Sequence, residues 1–352
     1  MHEHSRLRIA AKFVLFSLVL IFGLRSAYAG DTLRLGWQTP WATQGQLVAV
    51  MQRTNIPELV GLDLRYVGFA FGAPLNRAAM SGAVDVLLTA DQPAAALIDK
   101  GGRFQIVGRM MYNRTCVYVH PSSRVKSAAD LSRARMAGPS GAAAERVAAQ
   151  MLRRGGVDVA AVTWGDLDMA GQSALIRGQD DKGWSNVDAL YGFDPLPAVW
   201  EQSSKVRVVG CGRVVSFVVA SRELIETRPQ VLDKFLRAFS LAWYTYAKDP
   251  ARANALFRDI ASLDVPDSAL DAAAAVEPNK TARRLADVDL RVSDIDRAIF
   301  AEAVEFLRQK AALGSSFNVN EAFATAPYDL TRKSMGEWAG LAEKVVYVPV
   351  GR

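Results

Sequence analysis

The sequence predicts an α/β protein of two lobes and a helical tail, each lobe a five-stranded, mostly parallel sheet flanked by helices. Three observations carry this. Five short apolar runs recur between residues 32 and 120, five more follow between 134 and 220, and beyond Ala220 the apolar periodicity turns helical and stays so. Several runs are near-continuous in Val, Leu and Ile, as strands are when helices cover both faces of a parallel sheet. No repeat of solenoid period, low-complexity stretch or long linker intervenes, so short crossings near 112–119 and 213–220 must join the lobes.

The first thirty residues stand apart from this pattern. Arg6, Arg8 and Lys12 precede the apolar run Phe13 to Leu24, and Ala27-Tyr28-Ala29 precedes Gly30. A basic start, a short apolar stretch and a small-x-small site make a secretory signal peptide. Its apolar run is shorter than the roughly 20 residues a membrane-spanning helix needs. The expectation is an exported, periplasmic protein that begins near Gly30, with no cysteine there to carry a lipid anchor.

The strands of the first lobe are expected at Thr32 to Trp37, Leu62 to Val67, Val84 to Thr89, Phe104 to Gly108 and Thr115 to His120. Those of the second are expected at Ala134 to Gly138, Val159 to Trp164, Val187 to Tyr191, Val206 to Gly210 and Val214 to Ala220. From Pro229 a helical stripe runs through Val231, Leu232, Phe235, Leu236, Phe239, Trp243 and Tyr246 until Asp249-Pro250 stops it. Ser293 with Asp296 opens another helix, carrying Ile299, Phe300, Ala303, Leu307 and Ala311 and closed by Gly314.

Composition narrows the chemistry. Of 352 residues, 29 belong to the signal segment, and the remaining chain of about 320 is long enough to bury a full core without disulfides. The formal charge is +6; four basic residues and Glu3 leave with the signal segment, so the mature chain carries +3, too little to indicate nucleic acid. Only His120 remains of three histidines, at the end of an apolar strand, with no HExxH, no paired CxxC and no GxSxG. It reads as a surface histidine, and neither metal, cofactor nor catalytic residue is expected. Cys116 and Cys211 are either bridged or two small buried residues.

The loops after the strands are where a ligand should lie, because strand carboxyl ends and helix starts point backbone N–H groups there. Trp37-Gln38-Thr39-Pro40-Trp41 offers two aromatic faces, which either stack on a ligand or pack in the core, and two neutral hydrogen-bonding side chains. Phe71 and Gly72 follow the second strand. Thr89-Ala90-Asp91-Gln92-Pro93 starts a helix in which Thr89 or Asp91 caps and Pro93 suits the first turn. Ser140-Gly141-Ala142, opening the Ala-rich helix Ala143 to Arg153, is the best polar-head site by these criteria, although a plain cap explains it too. Tyr191 is placed to touch ligand and Asp194 to fix a turn. The crossings add Arg114 and Ser216; Arg114 is either the partner of an anionic head or the partner of a nearby acid. The segment 177–186 reads as a surface loop at the cleft mouth, with Trp184 reaching over the ligand.

The order of five segments resembles the periplasmic binding proteins of the nitrate, taurine and aliphatic-sulfonate type. They are Leu-Arg-Leu-Gly-Trp-Gln at 33–38, the block from Gly72 to Val86, Thr-Ala-Asp-Gln-Pro at 89–93, Val-Lys-Ser-Ala-Ala-Asp-Leu at 125–131, and Val-Asp-Ala-Leu-Tyr-Gly-Phe-Asp-Pro at 187–195. The resemblance implies the type II binding-protein fold, with residues 30–114 and 219–352 as one lobe, 115–218 as the other, and a two-strand hinge. It implies a non-catalytic, monomeric solute-binding subunit that hands a small organic solute with a polar or anionic head to an ABC permease and its ATPase. Gln38 and Thr39 are cleft residues in that family. Cleft aromatics such as Phe69, Phe71 and Phe193 argue against a bare inorganic anion. The alternatives are an enzyme on the same scaffold acting on a small carboxylated or heterocyclic substrate, or a module presenting its ligand to a membrane sensor.

Overall fold

The computed structural model describes residues 31–100, 103–179, 183–314 and 317–349, so the signal segment lies outside the described residues. Eight strands form one sheet: β1 (Asp31–Gln38), β2 (Leu62–Phe69), β3 (Val86–Ala90), β4 (Phe104–Val119), β5 (Arg135–Gly138), β6 (Thr163–Asp166), β7 (Ala189–Phe193) and β8 (Arg207–Ser221). Their order is β2-β1-β3-β8-β4-β7-β5-β6. The β2-β1-β3 set and the β7-β5-β6 set are each parallel, while β8 runs antiparallel to β3 and β4, and β4 antiparallel to β7.

Ten expected strands are eight because two pairs fuse. The runs at 104–108 and 115–120 are halves of β4, and those at 206–210 and 214–220 are halves of β8. Each long strand serves both lobes, so each lobe still has five strands. Residues 216–220 of β8 pair with β3 and residues 115–118 of β4 pair with β7. Between them lie the rungs Tyr112↔Val215, Asn113↔Val214 and Arg114↔Arg213, which neither β3 nor β7 flanks. These rungs are the two-strand crossing between the lobes, where the hinge is expected. Just beyond them, on the second-lobe side, Cys116 and Cys211 stand opposite one another and are joined by a disulfide. The expected strand at Val159 to Trp164 is also displaced: Val159–Ala161 is a 3-10 turn capped by Asp158, and the strand runs Thr163–Asp166.

The helices that position the cleft are α1 (Gln44–Gln52), α2 (Gly72–Met80), α3 (Asp91–Asp99), α4 (Ala143–Arg154), α5 (Met169–Arg177), α6 (Leu196–Gln202), α7 (Pro229–Lys248), α8 (Pro250–Ala261) and α9 (Asp294–Gln309). The α7 stripe is buried from Val231 to Tyr246 as its 3.6-residue spacing requires, and the Trp243 indole donates to Met110 O on β4 at 3.2 Å. At α9 the Ser293 Oγ accepts from the Asp296 N–H, and the Asp296 carboxylate accepts from the Ser293 N–H at 2.7 Å, the reciprocal cap its sequence predicts. The helix ends at Gln309, before Gly314. Tail and hinge are locked together by Arg109, whose guanidinium meets Glu277 at 2.7 Å; Glu277 also accepts from the Tyr112 N–H. No helix of the described residues is long and apolar enough to cross a membrane.

Candidate functional site

The carboxyl ends of β1 and β2 face those of β5, β6 and β7 across a cleft of about 340 Å³. From the first lobe come Thr39, Pro40, Ala70 and Phe71; from the second come Pro139, Asp168, Met169, Ala170, Ser173, Arg177, Phe193 and Leu196; Leu263, after α8, closes one side. Phe193, Met169 and Pro139 are the buried floor, whereas Ala70, Ala170 and Arg177 are the exposed rim. The two lobes touch behind the floor. The rings of Trp41 and Phe193 lie 5.0 Å apart, and the Ala42 N–H donates to Asp194 O.

Of the expected site residues, Thr39 and Phe71 line this cleft. Trp37 is core, Tyr191 is 1% exposed with its hydroxyl donating to Gly138 O at 3.2 Å, and Ala90 and Ala142 are buried. Tyr191 is therefore a wall of the second lobe rather than a ligand contact, and burial pushes its phenol well above the usual range. Gln38 is buried; its backbone N–H donates to Gln44 Oε1 and its amide points at Leu88 O and the Thr89 hydroxyl. Gly72 packs against Pro93 and Thr89, where a Cβ would come within 2.5 Å of the proline ring. Ser216 Oγ donates to Asn113 Oδ1 at 2.7 Å, inside the hinge.

The expected polar-head site is already satisfied from within. The Ser140 N–H donates to Asp166 Oδ1 at 3.0 Å, the Gly141 N–H to Glu145 Oε2 at 2.9 Å, and the Ala142 N–H to Pro139 O. Two carboxylates already stand at the start of α4 and oppose the approach of an anion. Arg114 is likewise committed. Its Nε meets Asp194 Oδ2 at 2.6 Å and its Nη1 lies 3.6 Å from Glu201, so of the two readings of this arginine the structure has the internal pair. Burial pushes the Asp194 carboxyl up while Arg114 pulls it down, and Asp194 Oδ1 also accepts from the Ala198 N–H. Asp91 does not cap α3, whose N-cap is Ala90. Instead it bridges the lobes, pairing with the buried Arg146 of α4 at 2.6 Å and accepting from the Gln92 and Val215 N–H groups. Arg146 also approaches Glu302 of α9 at 3.4 Å, and Glu145 pairs with Lys310 just past that helix.

Trp184 is not over the cleft. It is buried edge-on to His120 with ring centroids 5.8 Å apart, at the far end of the second lobe, where β4 ends. His120 itself is 7% exposed rather than a surface residue, and its Nδ1 lies 2.8 Å from Ser122 Oγ. Among the described residues no group of His, Cys, Asp and Glu is arranged to hold a metal ion. The residues missed from sequence are Asp168, the N-cap of α5, and Met169, Ala170 and Ser173 within it; Arg177, at its end, opens the segment expected at the cleft mouth and does line the cleft. The strand-end rule points at the missed residues once β6 is placed at 163–166. Trp41, of the two aromatic faces weighed in the first loop, is core like Trp37, and near the ends of β1 and β3 four buried polar atoms have no protein partner: Trp41 Nε1, Thr43 Oγ1, Gln44 Nε2 and Gln92 Oε1.

A family model described as NMT1/THI5 like matches residues 60–253, more than half of the chain. No curated protein sequence matches it. Among solved structures, the alkanesulfonate-binding protein SsuA from Xanthomonas axonopodis pv. citri, bound to MOPS, is 18% identical with a TM-score of 0.67, over 84% of this chain and 98% of that one. The periplasmic aliphatic sulphonate binding protein SsuA from Escherichia coli is 17% identical with a TM-score of 0.66, over 84% and 93%. The desulfurization enzyme DSZB is 16% identical with a TM-score of 0.61, over 86% and 99%. At these identities the likeness is one of fold.

Proposed function

The chain belongs to the NMT1/THI5-like family, and from that membership we propose that it is the exported solute-binding subunit of an ABC importer. It takes a small organic solute with a polar or anionic head into the interlobe cleft and passes it to a membrane permease and its ATPase. It acts as a monomer in the periplasm, with the signal segment removed near Ala29. The lobes are residues 30–114 with 219–352, and 115–218.

One observation carries the reading: a mostly apolar cavity is walled by both lobes, which meet through hinge rungs that neither β3 nor β7 flanks. A solute touching both walls binds the closed arrangement better than the open one, and that differential affinity is what shifts the population toward a shape a permease can read. The sulfonate-binding relatives support the solute class, and the Pro40, Phe71, Met169, Phe193 and Leu196 wall favours an apolar or ring-bearing body. The reading is binding without conversion. The two cysteines are joined to each other, and the mature chain's one histidine sits at the far end of the second lobe.

The test is thermal unfolding of the mature protein against sulfonates, taurine, aromatic carboxylates, pyrimidines and flavins, followed by small-angle scattering of any hit. At a hundred times its dissociation constant a ligand adds about 2.7 kcal/mol. With roughly 2.1 cal/mol/K per residue of unfolding entropy, that raises the midpoint by about 4 °C. A saturable shift, a smaller radius of gyration and unchanged compound support the proposal. A compound converted to product moves the assignment to an enzyme on this scaffold.

A further inference from the structure

Around the cleft, nearly every charged group already has a partner inside the protein. Asp194 is held by Arg114, Asp91 by Arg146, Glu145 by Lys310, and Asp166 by the Ser140 N–H. Asp168, on the cleft wall, is the N-cap of α5 and accepts from the Gly171 N–H at 2.8 Å, where the helix terminus offsets its charge. Arg177 is different. It sits on the same face of α5 as Ala170 and Ser173, two turns and one turn before it, it lines the cavity, and it has no hydrogen-bond or ion-pair partner among the described residues. It is also exposed, at the rim, while the buried floor opposite is Phe193 and Met169.

From this we infer that Arg177 is the specificity-determining residue of the cleft: it selects solutes with an apolar body and a single anionic head, and orients them head outward. The apolar body lies on Phe193 and Met169, and the anion meets the guanidinium at the rim. This inference rests on the reading of the cleft as the solute site. It reverses the orientation that the start of α4 suggests, because the N–H groups there are already bound to Asp166 and Glu145. A bidentate guanidinium suits a sulfonate or carboxylate in a way that a neutral isostere does not reproduce.

The experiment is calorimetric titration of octanesulfonate and its neutral isostere octanesulfonamide into the wild type, Arg177→Ala, Arg177→Lys and Phe71→Ala, at low and physiological salt. The wild type is expected to favour the sulfonate by about tenfold, and Arg177→Ala to remove that preference while leaving the sulfonamide within about twofold. Arg177→Lys retains part of the preference. The sulfonate affinity of the wild type falls with salt, and that of Arg177→Ala does not, a readout that a purely structural role would not move. Phe71→Ala weakens both compounds alike. An undiminished anion preference in Arg177→Ala, a wild type that prefers the sulfonamide, or a wild type that binds neither compound overturns the inference. If Phe71→Ala leaves bound compounds unaffected, the cleft reading itself has failed, which separates the two.

Discussion

Removing the disulfide is the perturbation whose size follows most directly from the structure. Cys116 and Cys211 face one another on adjacent antiparallel strands and are 95 residues apart in sequence. The bond costs the native fold no rearrangement of strand pairing, since rungs run on both sides of it, from Thr115↔Gly212 to Val117↔Gly210. Its stabilisation therefore comes from the unfolded chain, where closing a loop of that length removes entropy worth about 4.7 kcal/mol at 25 °C. The double substitution Cys116→Ala with Cys211→Ala is expected to lose about that much. At roughly 2.1 cal/mol/K per residue, the thermal midpoint falls by about 7 °C. Urea unfolding of the oxidised protein, the reduced protein and the double variant measures it, and the last two should coincide. Solute affinity should not change, because neither cysteine lines the cleft. A loss below about 1 kcal/mol would refute the reasoning, since it would mean that the unfolded chain already keeps β4 and β8 together.

Three further outcomes are expected. Arg146→Met strands the buried Asp91 carboxylate without its partner and should cost about 3–5 kcal/mol, whereas Lys310→Met, at the half-exposed end of the same contact between lobes, should stay within about 1 kcal/mol; chemical unfolding of both variants checks the contrast. Gly138→Ala would bring a Cβ within 2.4 Å of the Tyr191 ring and carbonyl, and the overpacking should cost about 1–3 kcal/mol by the same assay, with weaker solute binding because Pro139 on the cleft floor moves too. The hydrogen bond from Arg135 holds the Asp188 carboxyl below the usual carboxylate range, so what it contributes is complete above about pH 4 and is lost as pH falls through the lowered value. Thermal midpoints of wild type and Asp188→Asn should then differ by a constant amount near neutrality and converge in acid; a gap that widens in acid contradicts this.

Much of the fold was legible because strand cores are written in local residues. The runs that became β1, β2, β3, β5 and β7 needed no partner to be recognised, and the α7 stripe identified its own buried face. The hinge strands were harder. Arg109, Asn113 and Arg114 interrupt the apolar pattern of β4, and each is accommodated by a group far away in sequence: Glu277, Ser216 and Asp194. Read locally, they look like a break between two strands. The site was half legible for a similar reason. Strand ends point to Thr39 and Phe71, but the start of α4 reads locally as an open anion site, because its acceptors, Asp166 and Glu145, come from the next strand and from inside the helix. Placing the sixth strand a few residues early hid most of the cleft face of α5.

The second lobe's share of the cleft has a consequence for how such a protein changes over generations. Pro139, Asp168, Met169, Ser173, Arg177, Phe193 and Leu196 all lie between Cys116 and Cys211, within one uninterrupted, covalently closed stretch of chain. The first lobe's share is drawn instead from the amino-terminal part of the chain and from Leu263 beyond the return strand. A single recombination event between positions 116 and 211 would replace one entire wall of the cavity, Arg177 included, and leave the opposite wall, the tail and the hinge rungs as inherited. On this layout a change of cargo can arrive in one step, provided the incoming segment keeps the partners of Asp91, Arg114 and Lys310.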